Sequence, residues 1–164
     1  LEPGDVLDVA SGDGVLAELL APHARRYVCV DSSARVVGAA RDRLKRYRHV
    51  EVLEGDMQAL SFESNSFDLV LLMHALTYAS KPGQAIVEAA RVLRRGGRLV
   101  ATCLGKHEHQ AAVTPYGHVN LGFTAKDLRR YADKAGLEVT VCESVTREKR
   151  PPHFEVLTLL ARKP

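Results

Sequence analysis

Asp8, Asp31 and Asp56 each stand at or near the end of an apolar, strand-like run, and the first is followed by the glycine turn Ser11-Gly12-Asp13-Gly14. Carboxylates so placed can accept hydrogen bonds from the hydroxyls and amines of a nucleoside-like ligand. Gly12 and Gly14 open backbone conformations closed to other residues and leave no Cβ between the turn and a ligand. The pattern Gly12-x-Gly14-x-x-Ala17 also satisfies the dinucleotide fingerprint. The turn alone therefore leaves three readings open: a nicotinamide-type cofactor, another nucleoside, or a merely structural tight turn. Asp31 follows Asp8 by 23 residues, the spacing of a carboxylate that grips both ribose hydroxyls. Asp31-Ser32-Ser33 equally suits the N-cap of a following helix. Asp56-Met57 suits an adenine, with Asp56 accepting from the exocyclic amine and Met57 packing on the ring; Gly55-Asp56 is also a common turn.

A second group has acid-base character. His74 and Tyr78 follow the apolar run Phe67 to Met73, again at the functional edge of the sheet, where packing or hydrogen bonding is the plainer role. His107, His109 and His118 lie in one polar stretch, but no cysteine or acid completes a recognisable ligand set, so no metal is expected. His153, beside two prolines, reads as a turn residue.

The elements that must position these residues follow from periodicity. Apolar runs at Val6–Val9, Arg26–Asp31, His49–Leu53, Phe67–Met73 and Arg98–Cys103 read as strands. Between them lie helical patterns: Val15, Leu16, Leu19 and Leu20; then Val36, Val37, Ala40 and Leu44; then Ile86, Ala90 and Leu93, stopped by Gly96-Gly97. This alternation specifies a doubly wound α/β sheet, which binds its ligand at the carboxyl ends of its strands. The stretch Gly105–Phe123, 19 residues with three histidines, is longer than ordinary connections and reads as a lid or substrate loop. Thr124 and Asp127 cap a last helix that Gly136 ends. Leu137, Val139 and Val141 then alternate as a sixth strand, and Phe154–Ala161 is a seventh. The link between those two is too short for a parallel crossover, so they are antiparallel.

Composition sets the outer bounds. The 164 residues are 46% hydrophobic and 26% charged with a net charge of +3, an ordinary globular balance. No apolar run approaches the ~20 residues of a membrane helix. The densest basic piece, Arg41 to Arg48, reads as a solvated helix face, so no direct nucleic-acid contact is expected. Three scattered cysteines (29, 103 and 142) fall in apolar runs and read as buried free thiols of a cytoplasmic protein.

In order and in these residues the chain resembles the class I S-adenosylmethionine-dependent methyltransferases along its whole length. Val6-Leu7-Asp8-Val9-Ala10-Ser11-Gly12-Asp13-Gly14 resembles that family's first motif, Val30-Asp31 its ribose acid and Gly55-Asp56-Met57 its adenine motif. Phe67-Asp68-Leu69-Val70 resembles its fourth strand, and Arg91 to Val100 its turn into the fifth. The resemblance implies a Rossmann-like seven-stranded sheet with the last strand antiparallel. It implies S-adenosylmethionine as cofactor, S-adenosylhomocysteine as product and a small-molecule acceptor. Carried over by position, Asp8, Ala10, Gly12, Gly14, Asp31, Ser32, Asp56, Met57 and Met73 would hold the cofactor, with His74 and Tyr78 toward the acceptor. Ala10 stands where the family often has glycine, and Arg95 where it usually has proline. Residues 1–164 are expected to form one cofactor-binding domain lacking the family's N-terminal extension. The tail, Leu121-Gly122-Phe123 and Pro151 to Val156, resembles methyltransferase domains fused behind ArsR-type regulators, so a non-catalytic sensor of the same cofactor is the alternative reading.

Overall fold

The computed structural model describes residues 3–164. The chain runs β1 (Asp5–Val9), α1 (Val15–Leu20), β2 (Arg26–Asp31), α2 (Ala34–Leu44), β3 (Val50–Glu54), β4 (Phe67–Met73), α3 (Pro82–Val92) and β5 (Leu93–Leu104). It continues with α4 (Gln110–Val113), α5 (Ala125–Lys134), β6 (Glu138–Arg147) and β7 (Glu155–Arg162). All seven strands form one sheet in the order β3-β2-β1-β4-β5-β7-β6. The first five pair in parallel, and β7 runs antiparallel to both β5 and β6. The Rossmann-like α/β architecture expected from the alternation is the one observed.

Strand alternation sends side chains to two faces, and each face is covered. Leu7, Val9, Val28, Val70 and Leu72 pack with Ile86 and Ala89 of α3 and Leu128 and Ala132 of α5. Val6, Tyr27, Cys29 and Leu71 pack with Ala17 of α1 and Val37, Ala40 and Leu44 of α2. All three cysteines are free and buried, and burial pushes the Cys29 and Cys103 thiols up to about 12. Among the described residues no helix is long and apolar enough to cross a membrane.

Two expectations are corrected. Helix α3 stops at Val92, and β5 starts at Leu93 rather than Arg98, pairing first with Phe67 and then, after a register shift, resuming at Leu69–Arg98. Arg94 is drawn into the sheet because its guanidinium meets Asp68 at 2.9 Å and Asp5 at 3.0 Å. Arg25 joins the same ion network at the amino edge of the sheet. The stretch 105–123 is partly regular, holding α4 and a short 3-10 turn at Thr114–Tyr116. Its neck is closed by a bridge between Gly105 and Phe123.

Candidate active site

At the carboxyl edge, where the strand order reverses between β1 and β4, a cleft of about 470 Å³ opens. Its floor is Val9, Ala10, Gly12 and Val30; Asp31, Ser32 and Val36 form one wall, and Gly55, Asp56, Met57 and Gln58 another. Tyr78, Ala79 and Ser80 close the side toward β4. Of the eleven site residues inferred from sequence, seven therefore share this cleft: Ala10, Gly12, Asp31, Ser32, Asp56, Met57 and Tyr78.

Asp31 is the pivot of the wall. Gly12 N donates to its Oδ2 at 3.1 Å and Ser33 N to its Oδ1 at 3.0 Å. The carboxylate thus ties the glycine turn to the entrance of α2. A carboxylate has about four acceptor positions, so two stay free for a ligand. The helix cap itself is Ser33, whose side chain accepts from Val36 N at 3.4 Å, so Asp31 is not the N-cap.

Asp56 is held by a similar local bond, its Oδ1 accepting from Gln58 N at 2.8 Å. Gln58 had no signal in the sequence beyond its nearness to Asp56. Its Oε1 accepts from Lys81 N at 2.9 Å and from Ser80 Oγ at 3.2 Å, joining the two walls. Behind this wall the buried Glu88 accepts from Leu60 N, and Arg91 donates to the carbonyls of Leu60 and Phe62. The segment that carries Asp56 and Met57 is thereby fixed from beneath.

Asp8, Gly14, Met73 and His74 lie outside the cleft lining. Asp8 shares a face with Val6 and is only 2% exposed, under α1 and α2. Tyr27 donates its hydroxyl to Asp8 Oδ2 at 2.7 Å. Burial pushes the Asp8 carboxyl up to about 6; the Tyr27 bond opposes this and the nearby Asp31 charge adds to it. Gly14 serves packing: its φ is +91° and a Cβ there would stand 3.0 Å from Leu44 Cδ1. At Gly12, by contrast, an added Cβ would meet nothing within 4 Å. Met73 is half-buried against the α1/α2 face.

Ala10 and His74, at the ends of neighbouring strands, both take left-handed backbone conformations, with φ of +56° and +55°. A Cβ makes that conformation cost about 1–2 kcal/mol, and such strain concentrates where a ligand is met. His74 is held there by its N–H donating to Thr102 O at 2.8 Å. Its ring is lowered below the ordinary histidine value by burial, against a weaker opposing pull from Glu148. His118, which the sequence placed only in a long loop, packs edge-on to Tyr78 with ring centroids 5.3 Å apart. Among the described residues no group of three or more His, Cys, Asp or Glu side chains is placed to hold a metal ion. His153 sits in the turn before β7 with φ of +60°.

Fold and cleft together define a doubly wound domain that takes a nucleoside-bearing cofactor at its topological switch point. The family model described as "Methyltransferase domain" matches residues 7–101. The chain belongs to that family, the class I S-adenosylmethionine-dependent methyltransferases. The demethylmenaquinone methyltransferase of Tropheryma whipplei is 32% identical over 128 residues, covering 77% of this chain and 52% of that protein. The chain spans from 30% to 60% of the length of the curated relatives it matches. The N-methyltransferase NodS of Bradyrhizobium japonicum, solved with S-adenosyl-L-homocysteine, superposes with a TM-score of 0.77 at 24% identity, over 98% of this chain and 78% of that one. The [4+2]-cyclase SpnF superposes with a TM-score of 0.85 at 25% identity, over 100% and 77%. The architecture is therefore shared by more than one chemistry.

The residues present fit the family's cofactor. S-adenosylmethionine is a cation with an adenosine end, and the cleft offers two partly open carboxylates, an open Gly12 and a Met57 that packs against the core.

Proposed function

We propose that the chain transfers a methyl group from S-adenosylmethionine to a small-molecule acceptor. The observation that carries this reading is the Asp31 carboxylate, shared between Gly12 N and Ser33 N and still holding two acceptor positions toward the cleft. Asp31 would hold the ribose hydroxyls, Asp56 and Met57 the adenine, and the turn at Ala10–Gly12 the amino-acid end. Bound there, the cofactor supplies a methyl group on a sulfonium sulfur. The protein's part is alignment of that carbon with the acceptor, worth up to ~7–11 kcal/mol in favourable cases. Tyr78 bounds the cleft on the β4 side, the direction from which an acceptor would approach.

The acceptor belongs to the proposal as well. The curated relatives named demethylmenaquinone methyltransferase make a demethylated naphthoquinol the first compound to assay. The regulator-like tail has no counterpart among the relatives named above; a sensor of the same cofactor would use the same cleft, so turnover decides between the two. Calorimetry with S-adenosylhomocysteine and with NAD tests the donor site: binding of the first and none of the second is expected. Production of S-adenosylhomocysteine from S-adenosylmethionine and the naphthoquinol separates methyl transfer from both sensing and cyclisation. Binding of NAD without response to either sulfur compound would overturn the proposal.

A further inference from the structure

We propose that Gln58 is a positioning residue of the methyl-donor site. Its side-chain carbonyl caps α3 from the opposite wall and so holds the Asp56–Met57 wall and the Tyr78 turn at one spacing. This rests on the reading of the cleft as that site.

The first observation is a displaced helix cap. Helix α3 has a proline in its first turn, and its N-cap residue Lys81 makes no side-chain cap bond. In a capping box, a Glu or Gln three residues past the N-cap reaches back to the N-cap N–H. Gln84 holds that place here, yet its Nε2 donates outward to Gln58 O at 3.4 Å. Gln58 Oε1 takes the acceptor role instead, receiving Lys81 N at 2.9 Å from 23 residues away in sequence. Ser80 Oγ donates to the same oxygen at 3.2 Å. The N-terminus of a helix carries partial positive charge, so an oxygen is well placed there. A backbone N–H can only donate, so the atom that meets Lys81 N must be the amide oxygen.

The second observation is what else Gln58 holds. Its own N–H donates to Asp56 Oδ1 at 2.8 Å, and Ala59 N closes the same turn onto Asp56 O at 3.1 Å. One residue thereby joins the Asp56 carboxylate, the turn ending in Ser80 and the start of α3. The lower attachments of this segment run from Glu88 and Arg91 to Leu60 and Phe62. Those four residues lie outside the cleft lining, whereas Gln58 and Ser80 both border it. Loss of the Gln58 bonds therefore frees the rim of the cleft while the base of the segment stays anchored.

The third is the demand of the reaction. In-line transfer depends on how the two reactants are held, and a misplacement of about 1 Å can cost ~10²-fold in rate. Asp56 and Met57 stand on one wall and Tyr78 on the other. A bond that spans the walls fixes their separation before any ligand arrives.

The test separates the acceptor oxygen from the bulk of the side chain. Gln58→Met keeps the length and loses the acceptor, Gln58→Glu keeps the acceptor, and Ser80→Ala removes one of the two donors. Each protein is studied by calorimetry with S-adenosylhomocysteine, by urea midpoint and by amide-resolved hydrogen exchange with and without that ligand. In the wild type the ligand should slow exchange at Lys81, which lies outside the cleft lining, as well as at residues 56–58. Gln58→Met should bind roughly five- to tenfold more weakly, the net worth of about one hydrogen bond. In that variant the ligand should no longer slow exchange at Lys81. Ser80→Ala should lose about two- to threefold, half of that free energy. Gln58→Glu should bind within about twofold of wild type and keep the slowing at Lys81. Binding of Gln58→Met within twofold of wild type, equal losses in Gln58→Met and Gln58→Glu, or slowing at Lys81 that survives in Gln58→Met would each overturn the positioning role and leave the donor site standing. Failure of the wild type to bind S-adenosylhomocysteine would instead overturn the donor-site reading, and the role of Gln58 with it.

Discussion

Replacing Asp31 by asparagine tests the donor site most directly, because the side chain keeps its shape while its charge and one acceptor oxygen are lost. In the native protein one oxygen receives Gly12 N at 3.1 Å and the other Ser33 N at 3.0 Å. The amide can serve only one of these; its NH2 must face the other N–H. The free protein should therefore lose about 1–2 kcal/mol, the net worth of one charge-assisted bond at a partly exposed site. Binding should lose more. A ribose hydroxyl donating to a carboxylate contributes about 1.5–3 kcal/mol, so one lost increment weakens the complex roughly 10- to 150-fold at 1.4 kcal/mol per decade. The structural share is isolated by Ser33→Ala, which removes the cap of α2 for about 1 kcal/mol and touches neither free acceptor position. Urea midpoints of the free proteins and calorimetric Kd values for S-adenosylhomocysteine give both numbers. If Asp31→Asn lost stability but bound the ligand within threefold of wild type, Asp31 would be a pin for the turn and nothing more, and the ribose assignment would be wrong.

Further outcomes follow from the surrounding packing. Asp8 has its carboxyl raised from 3.8 to about 6, so the folded state holds this proton more tightly than the unfolded chain. The stability it lends is full below about pH 4 and lost as pH rises through 6, a fall of about 3 kcal/mol at 1.36 kcal/mol per unit. Asp8→Asn, which keeps an acceptor for Tyr27, should therefore be more stable than wild type at pH 8 by up to that amount and show no gain at pH 4, read from urea midpoints at both. At Gly122, with φ of +83°, a Cβ would stand 2.2 Å from Gly105 O. Gly122→Ala should cost more than 2 kcal/mol and open residues 105–123 to limited proteolysis. Glu88→Ala should cost about 3 kcal/mol, the lower end for removing one partner of a buried pair, because Arg91 remains a third exposed; the melting temperature checks it.

Much of the fold was legible because strand and helix periods are set by which faces are buried. The antiparallel ending followed from the length of the last connection alone. What misled was charge. Leu93-Arg94-Arg95-Gly96-Gly97 carries two arginines and two glycines and reads as a turn, yet it is strand, since Asp5 and Asp68 neutralise Arg94 from positions 89 and 26 residues away. Such partners are invisible to any local window. The loop 105–123 was legible as an interruption but not as a clamp, for the same reason: Asn120 finds its acceptors 41 and 44 residues back.

The three aspartates of the carboxyl edge show where the candidate site was legible and where it was not. All three sit in similar local sequence, an apolar run closing on an acid, and the sequence reading put all three in the cofactor site. Strand parity separates them. Asp8 alternates with Val6 and so faces the α1/α2 core, whereas Asp31 and Asp56 come after or at the last residue of their strands, where the backbone leaves the sheet. That parity was available in the sequence and is the signal that would have kept Asp8 out of the cleft. The division has a consequence for the site. A cationic ligand in the cleft meets two carboxylates tied to backbone N–H groups, and a third, buried behind the turn, whose charge state depends on pH and on the Asp31 charge beside it. The positive end of such a ligand would favour the ionised form of all three, so its affinity should rise with pH through the Asp8 range, and the Asp8→Asn protein should lack that rise.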